Sequence, residues 1–322
     1  MQFGGIGLGC WGIGGDSYGK VTEKQREKLL RGSYELGIRF FDTSPTYGDG
    51  ASEISLGKYL NARHDVYIAT KFGSLPHTGT KVPYDFSKKA LVSSIDGSLT
   101  RLRRDVIDLI QLHSPILNFE KEYEDIFDFL LSIIRQGKVK KVGISLKSPF
   151  FFNDQKDLFH WQSFQYNLSI LDQRFLSVCA DKRFLENNSI IKIARTPLNF
   201  GFLTDNPPKE KSLTFSHHLR YWGHDQLRTW KNKSSKVNSI TLKYGRSILE
   251  TALRFPIDCG FSNIVLPGAT TFEQMKNNFI QFNKQKLHKD LILELINFFK
   301  ISEVDSIKLP HTYVNAGTID RY

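Results

Sequence analysis

The chain has 322 residues, 40% of them hydrophobic and 13% aromatic, a length that suits either one α/β barrel or two smaller units. No apolar run approaches the length of a membrane-spanning helix, and no basic segment followed by an apolar run opens the chain, so a cytoplasmic protein without a signal peptide is expected. The formal net charge is +11, but lysine and arginine are scattered through amphipathic segments, which describes solvated helix faces better than a surface for nucleic acid or anionic membrane.

Cys10, Cys179 and Cys259 lie far apart and form no CxxC, so neither a disulfide framework nor a metal site is indicated. The densest basic segment, 209–236, carries Lys209, Lys211, His217, His218, Arg220, His224, Arg228, Lys231, Lys233 and Lys236, with Glu210 and Asp225 as its acids. That composition hints at an anionic small ligand nearby.

The first stretch contains a literal GxGxxG from Gly7 to Gly12. A Rossmann dinucleotide site needs a helix opening on the last glycine and an acidic residue ending the next strand. Here Ile13-Gly14-Gly15-Asp16-Ser17 continue as loop, and the first helix starts at Thr22 with Gln25 as its capping-box partner. The Rossmann reading therefore ranks second to a short strand over 3–8, in which absent side chains allow close packing. Helix is then predicted over 22–36, strand over 38–41, helix over 52–60, strand over 66–70, helix over 87–102 and strand over 106–112. Helix follows over 120–135, strand over 139–145, strand over 161–166, helix over 173–186 and strand over 190–194. The chain closes with helix over 236–255, strand over 263–266 and helix over 271–282. Eight short apolar strands alternating with helices predict a single-domain parallel (β/α)8 TIM barrel over 1–322. Within it, 199–236 is a long loop after the seventh strand and 303–322 a C-terminal tail.

Chemistry in such a barrel gathers at the C-terminal ends of the strands. Asp42 ends the second strand, Lys71 the third and His113 the fourth, while Tyr47 lies on a Pro-broken turn after Asp42. A lone buried carboxylate is costly to keep charged, so Asp42 needs a partner, and Lys71 from the next strand is the expected one. Tyrosine is a poor acid near neutrality, with an ordinary pKa of about 10, and a neighbouring ammonium lowers it toward the working range. Lys71 can supply that ammonium, and His113 can orient a substrate carbonyl.

The stretches GLGCWGIGG, FFDTSPTYGDGASEISLGKYL, VYIATKFG, DVIDLIQLHSP, GKVKKVGIS, FQYNL, IARTPLNFGFLT and IVLPGATTFEQMKNNF cover nearly the whole chain, and in them the sequence resembles the aldo-keto reductase family. The resemblance implies reversible NAD(P)H-dependent reduction of an aldehyde or ketone, with a tetrad of Asp42, Tyr47, Lys71 and His113 in which Tyr47 is general acid/base. It implies a cofactor lying extended over the barrel mouth, NADP(H) ahead of NAD(H). Gly9, Cys10 and Trp11 match the loop beside the nicotinamide, and Asp42, Ser145 and Gln165 face it. Arg195 stands where an aromatic commonly stacks, Thr196 and Leu198 fall on the pyrophosphate loop, and Gly268, Thr270, Thr271, Gln274 and Asn278 match the adenosine phosphate site. Leu146 departs from the usual asparagine. Gly268, Thr270 and Gln274 replace frequent lysines and arginines, which weakens the case for a 2'-phosphate preference. The N-terminal hairpin that usually plugs the barrel bottom is missing, so large side chains or another subunit are expected to cover it.

The variable loops over 73–86, 199–236 and 308–322 carry His77, Tyr84, Phe215, His217, His218, Arg220, Tyr221, Trp222, His311, Tyr313 and Tyr322. Aromatic faces and bases there predict a polar or anionic carbonyl substrate such as a sugar derivative. A monomer or small homo-oligomer is expected. The alternative reading is a barrel of this fold that binds cofactor as a regulatory or interaction subunit without significant turnover.

Overall fold

The computed structural model describes residues 5–75, 83–115, 120–146, 161–179, 182–209 and 217–299. Phe3, His77, Lys211, Phe215, His311, Tyr313 and Tyr322, and with them the predicted tail, lie outside these residues. The strands are β1 (Gly5–Ile6), β2 (Leu8–Gly9), β3 (Phe40–Asp42), β4 (Tyr67–Phe72), β5 (Ile107–His113), β6 (Val139–Ser145), β7 (Ser163–Asn167), β8 (Ile191–Arg195) and β9 (Ile264–Leu266). They pair in the order β1-β9-β8-β7-β6-β5-β4-β3-β2, each pair parallel.

The first predicted strand is in fact two pieces. β1 pairs with β9 and β2 with β3, and because only Gly7 separates them, the sheet closes on itself as a (β/α)8 barrel. The switch requires glycine: a Cβ on Gly7 would stand 2.7 Å from Leu266 Cδ2 and 2.8 Å from Phe40 O. The GxGxxG is therefore barrel strand, a 3-10 turn at Gly12–Gly14 and loop.

The helices are α1 (Glu23–Glu35), α2 (Ala51–Leu60), α3 (Lys88–Leu102), α4 (Glu120–Arg135), α5 (Arg174–Val178), α6 (Lys182–Glu186), α7 (His224–Lys243), α8 (Ile248–Asp258), α9 (Phe272–Phe282) and α10 (Lys289–Phe299). The capping box of Thr22 and Gln25 is present at α1. Two helix expectations need correction. The helix over 173–186 is two short ones, α5 being followed by its C-cap Cys179. The helix over 236–255 is the junction of α7 and α8, where Gly245 takes φ 65° and Ser247 caps α8 by accepting from Glu250 N; local capping overrides a continuous apolar pattern. α10 was not predicted, and its Leu291, Ile292, Leu295 and Phe299 are buried.

Side chains on a strand alternate between faces. A second core cluster gathers Phe40, Tyr67, Ala69, Leu109, Ile191, Ile193, Ile264 and Leu266, while their strand neighbours Phe41, Ile68, Ile110 and Ala194 join the main cluster with the helices. The smaller cluster is thus the barrel interior. Phe40 and Tyr67 stack there at 5.3 Å, with Tyr67 Oη donating to Asp108 O at 3.1 Å. Both start their strands, so these large side chains lie at the bottom end of the barrel interior. Two residues on from Phe40 comes Asp42, four on from Tyr67 comes Lys71, and four on from Leu109 comes His113. The same inward face that is apolar at the bottom turns polar at the mouth.

Candidate active site

Parallel register sets the mouth residues side by side. Asp42 is opposite Ala69, Lys71 opposite Gln111, His113 opposite Ser145, Ser145 opposite Gln165, and Asn167 opposite Arg195. Lys71 is 1% exposed and Asp42 4%, and they form an ion pair at 2.6 Å. The ammonium also donates to Thr43 O at 2.8 Å and to Tyr47 Oη at 3.2 Å. Those three bonds use all three donors of the lysine.

The Asp42 carboxylate is held from its other side as well. Gln165 Nε2 donates to Oδ2 at 2.7 Å and Gln111 Nε2 at 3.2 Å, and Ser145 Oγ donates to Gln165 Oε1 at 2.9 Å. Ser145 and Gln165 therefore brace Asp42 as well as facing the mouth. Gln111 was missed by sequence reading. Its signal was available, for it lies two positions before His113, a polar residue on the inward face of an otherwise apolar strand.

Tyr47 is placed by a chain of turns. Its N–H donates to Ser44 O at 3.1 Å, and Cys10 N donates to Asp42 O at 2.8 Å. Gly48 and Gly50 adopt φ 61° and 86°, and a Cβ on Gly14 would meet Tyr47 C at 2.8 Å, so the loop after β2 packs onto the Tyr47 turn. The Tyr47 and His113 rings meet edge to face at 6.1 Å, with Ser44 Oγ 3.2 Å from His113 Nδ1.

The electrostatics differ from expectation in one respect. Burial holds the Tyr47 hydroxyl above its ordinary range, while Lys71 and Arg195 pull it down and Asp42 pushes it up. Lys71 does lower the Tyr47 pKa, but burial outweighs it, and the phenol stays protonated near neutrality. For Lys71, burial disfavours the ammonium, yet Asp42 and Tyr47 prevail and raise its pKa. Burial pushes the Cys10 thiol up, which leaves it inert as a nucleophile.

The residues expected around a cofactor are partly gathered. Gly9 bridges to Gly268, where an added Cβ would find only Gly9 O at 3.9 Å, so room remains above the backbone. Arg195 donates through Nη2 to Leu146 O at 3.0 Å, and its buried Nε has no partner among the described residues. Gln111 Oε1 is equally unpartnered. Burial lowers the Arg195 pKa, opposed by Tyr47, Asp42 and Asp172. Thr196, at φ 56°, donates to Asn167 Oδ1 at 3.0 Å, and Leu198 packs on the core. Free polar atoms and open space at the mouth fit a nicotinamide cofactor.

At α9 the arrangement is self-contained. Thr270 N and Thr271 N donate to Gln274 Oε1 at 2.8 and 3.2 Å, and Gln274 N donates to Thr271 Oγ1 at 3.2 Å. The Gln274 side chain is occupied in capping the helix, Asn278 is buried, and Glu273 in the first turn pairs with Lys28. Among the described residues no metal-ligand cluster occurs, and no helix is long and apolar enough to cross a membrane.

A lip of rings borders Tyr47. Trp11 lies 5.2 Å from Tyr18 and 5.0 Å from His218, and Tyr18 lies 4.6 Å from His218. Phe200 approaches His218 at 5.4 Å and Trp222 at 5.1 Å. Tyr18 was also absent from the expected site.

The Aldo/keto reductase family model matches residues 5–295, and the chain belongs to that family of NAD(P)H-dependent oxidoreductases. A Bacillus subtilis (strain 168) protein named uncharacterized oxidoreductase YqkF is 28% identical over 298 residues, covering 90% of each chain. L-galactose dehydrogenase of Arabidopsis thaliana is 28% identical over 283 residues, 85% of this chain and 82% of that protein. In fold, the chain is similar to the holo form of aldo-keto reductase AKR11C1 from Bacillus halodurans, with a TM-score of 0.74 at 24% identity, covering 93% of this chain and 94% of the other.

Proposed function

We propose that the chain reduces a neutral, hydroxylated aldehyde or ketone reversibly, with Tyr47 as general acid/base. The observation that carries this is the Lys71 ammonium, whose three donors go to Asp42, Thr43 and Tyr47. Because the Tyr47 oxygen accepts from Lys71, the phenol's own proton is free to be donated to a substrate oxygen. A bound nicotinamide supplies the hydride. As charge develops on the carbonyl oxygen, Tyr47 gives up its proton, and the adjacent ammonium stabilises the phenolate left behind. Asp42, fixed by Gln111 and Gln165, keeps Lys71 charged and aimed. His113, edge-on to Tyr47, orients the carbonyl. Ser145, Gln165 and Arg195 hold the nicotinamide end, with Gly9, Cys10 and Trp11 alongside.

The Thr196 and Leu198 turn and the start of α9 take the phosphates, with Gly268, Thr270, Thr271, Gln274 and Asn278 at the adenosine end, the Gln274 side chain giving up its bonds to Thr270 N and Thr271 N as the ligand binds. NADP(H) is favoured over NAD(H) by a small margin only, because none of Gly268, Thr270 and Gln274 supplies a cation and Glu273 adds an acid. The substrate reading draws support from the ring-lined lip and from the sugar in the name of the Arabidopsis relative. Burial lowers the pKa of both His217 and His218, so these lip histidines are neutral, which favours a polar uncharged substrate over an anionic one. We place the protein in the cytoplasm.

Tyr47→Phe is the test. Turnover of aldehydes should fall by about 100-fold or more, while fluorescence titration with NADPH and NADH should give unchanged affinities. Cofactor binding with no turnover in the unsubstituted protein would instead favour a regulatory subunit.

A further inference from the structure

His218 is a residue whose chemistry the tetrad does not use. Its ring is enclosed by Trp11, Tyr18, Phe200 and Trp222, and it is 7% exposed. Nδ1 lies 2.8 Å from Ser17 O. A carbonyl oxygen only accepts, so Nδ1 carries the hydrogen, and in the neutral ring Nε2 is left as a lone-pair acceptor. That Nε2 is buried and has no hydrogen-bond partner among the described residues. The bond to Ser17 O accounts for one ring nitrogen; the buried, unsatisfied Nε2 is a cost that this bond does not explain.

The cage shares its wall with the catalytic turn. Trp11 follows Cys10, whose N–H donates to Asp42 O at 2.8 Å. Gly14 packs on Tyr47 and Gly48, and Tyr18 stands near enough to Tyr47 for ionisation of one phenol to oppose that of the other. The ring cage and the Tyr47 turn are therefore neighbours.

Resting on the reading of the site as a carbonyl reductase, we propose that His218 selects hydroxylated carbonyl substrates, its Nε2 accepting a hydrogen bond from a substrate hydroxyl while Tyr47 protonates the carbonyl. The chemistry recognised is an uncharged hydroxyaldehyde or hydroxyketone. A fixed acceptor with no partner penalises an analogue that lacks the hydroxyl, since the buried nitrogen then stays unsatisfied.

The test compares glyceraldehyde with propanal, which has the same carbon count and no hydroxyl, using full-length protein with NADPH. His218→Phe should lower kcat/KM for glyceraldehyde by about tenfold or more and change propanal by less than about twofold. Equal losses for both aldehydes, or an unchanged ratio, would overturn the proposal. A second measurement needs neither turnover nor the variant's folding: calorimetric titration of the NADP-loaded wild-type protein with glycerol and with propan-1-ol. Glycerol should bind about tenfold tighter, and equal affinity for the two alcohols refutes the assignment. Should the wild-type protein reduce neither aldehyde, the reductase reading fails, and the alcohol titration still decides the role of His218.

Discussion

Replacing Lys71 by methionine removes a charge from a nearly solvent-free pair and leaves Asp42 with its negative charge, two glutamine donors and no directly paired cation. Breaking a buried ion pair from one side costs about 3–5 kcal/mol, which for a chain of this size lowers the melting temperature by roughly 5–10 °C or more. Burial then favours the protonated carboxyl, so the native state binds a proton that the unfolded state releases, and the deficit of Lys71→Met relative to wild type should shrink as pH falls. The companion Asp42→Asn/Lys71→Met protein has no uncompensated charge and should recover much of the loss, giving a coupling of about 1 kcal/mol or more in a double-mutant cycle. Both proteins should lose carbonyl reduction by about 100-fold or more, because neither retains an ammonium against Tyr47. Denaturant unfolding of the cofactor-free proteins at several pH values reads stability, and initial rates read chemistry. A double variant as unstable as the sum of the two single ones, or a deficit in Lys71→Met that does not change with pH, would refute the view of Asp42 as a carboxylate kept charged by Lys71.

Two further outcomes follow from the geometry. Burial holds His218 down from its ordinary 6.5 to about 4, so the unfolded chain takes up a proton at pH values where the native ring stays neutral. Stability from this residue is therefore full above about pH 6.5 and is lost as pH falls toward 4, about 3 kcal/mol in all; the wild-type acid limb should be steeper than that of His218→Phe, and parallel limbs would show that the ring titrates normally. Gly7→Ala places a methyl against Leu266 and the Phe40 carbonyl. It should destabilise by about 1–3 kcal/mol in denaturant unfolding, and a loss below about 0.5 kcal/mol would mean that the β1 and β2 junction is not the tight closure described.

The sequence by itself determined the barrel and which residues meet at the heart of the candidate site. Strand alternation puts Asp42, Lys71 and His113 on one face two or four residues beyond apolar ones, and parallel βα units must present their strand ends at one mouth. Those are local periodicities, written in neighbouring residues. The helix breaks at Cys179 and Gly245, and the helix α10, turned on capping and tertiary packing that the apolar pattern alone does not report. Charge balance at Tyr47 likewise depended on enclosure: Lys71 was legible as a neighbour, but whether its pull or burial prevails is decided by how many groups surround the phenol. Gln274 is legible as a residue of the expected phosphate site, but that its side-chain oxygen caps α9 by accepting from Thr270 N and Thr271 N is a property of the folded chain. His218 is the clearest case of all. Its tautomer is fixed by Ser17, 201 positions away in sequence, and only the folded chain brings that carbonyl to one ring nitrogen and leaves the other without a partner.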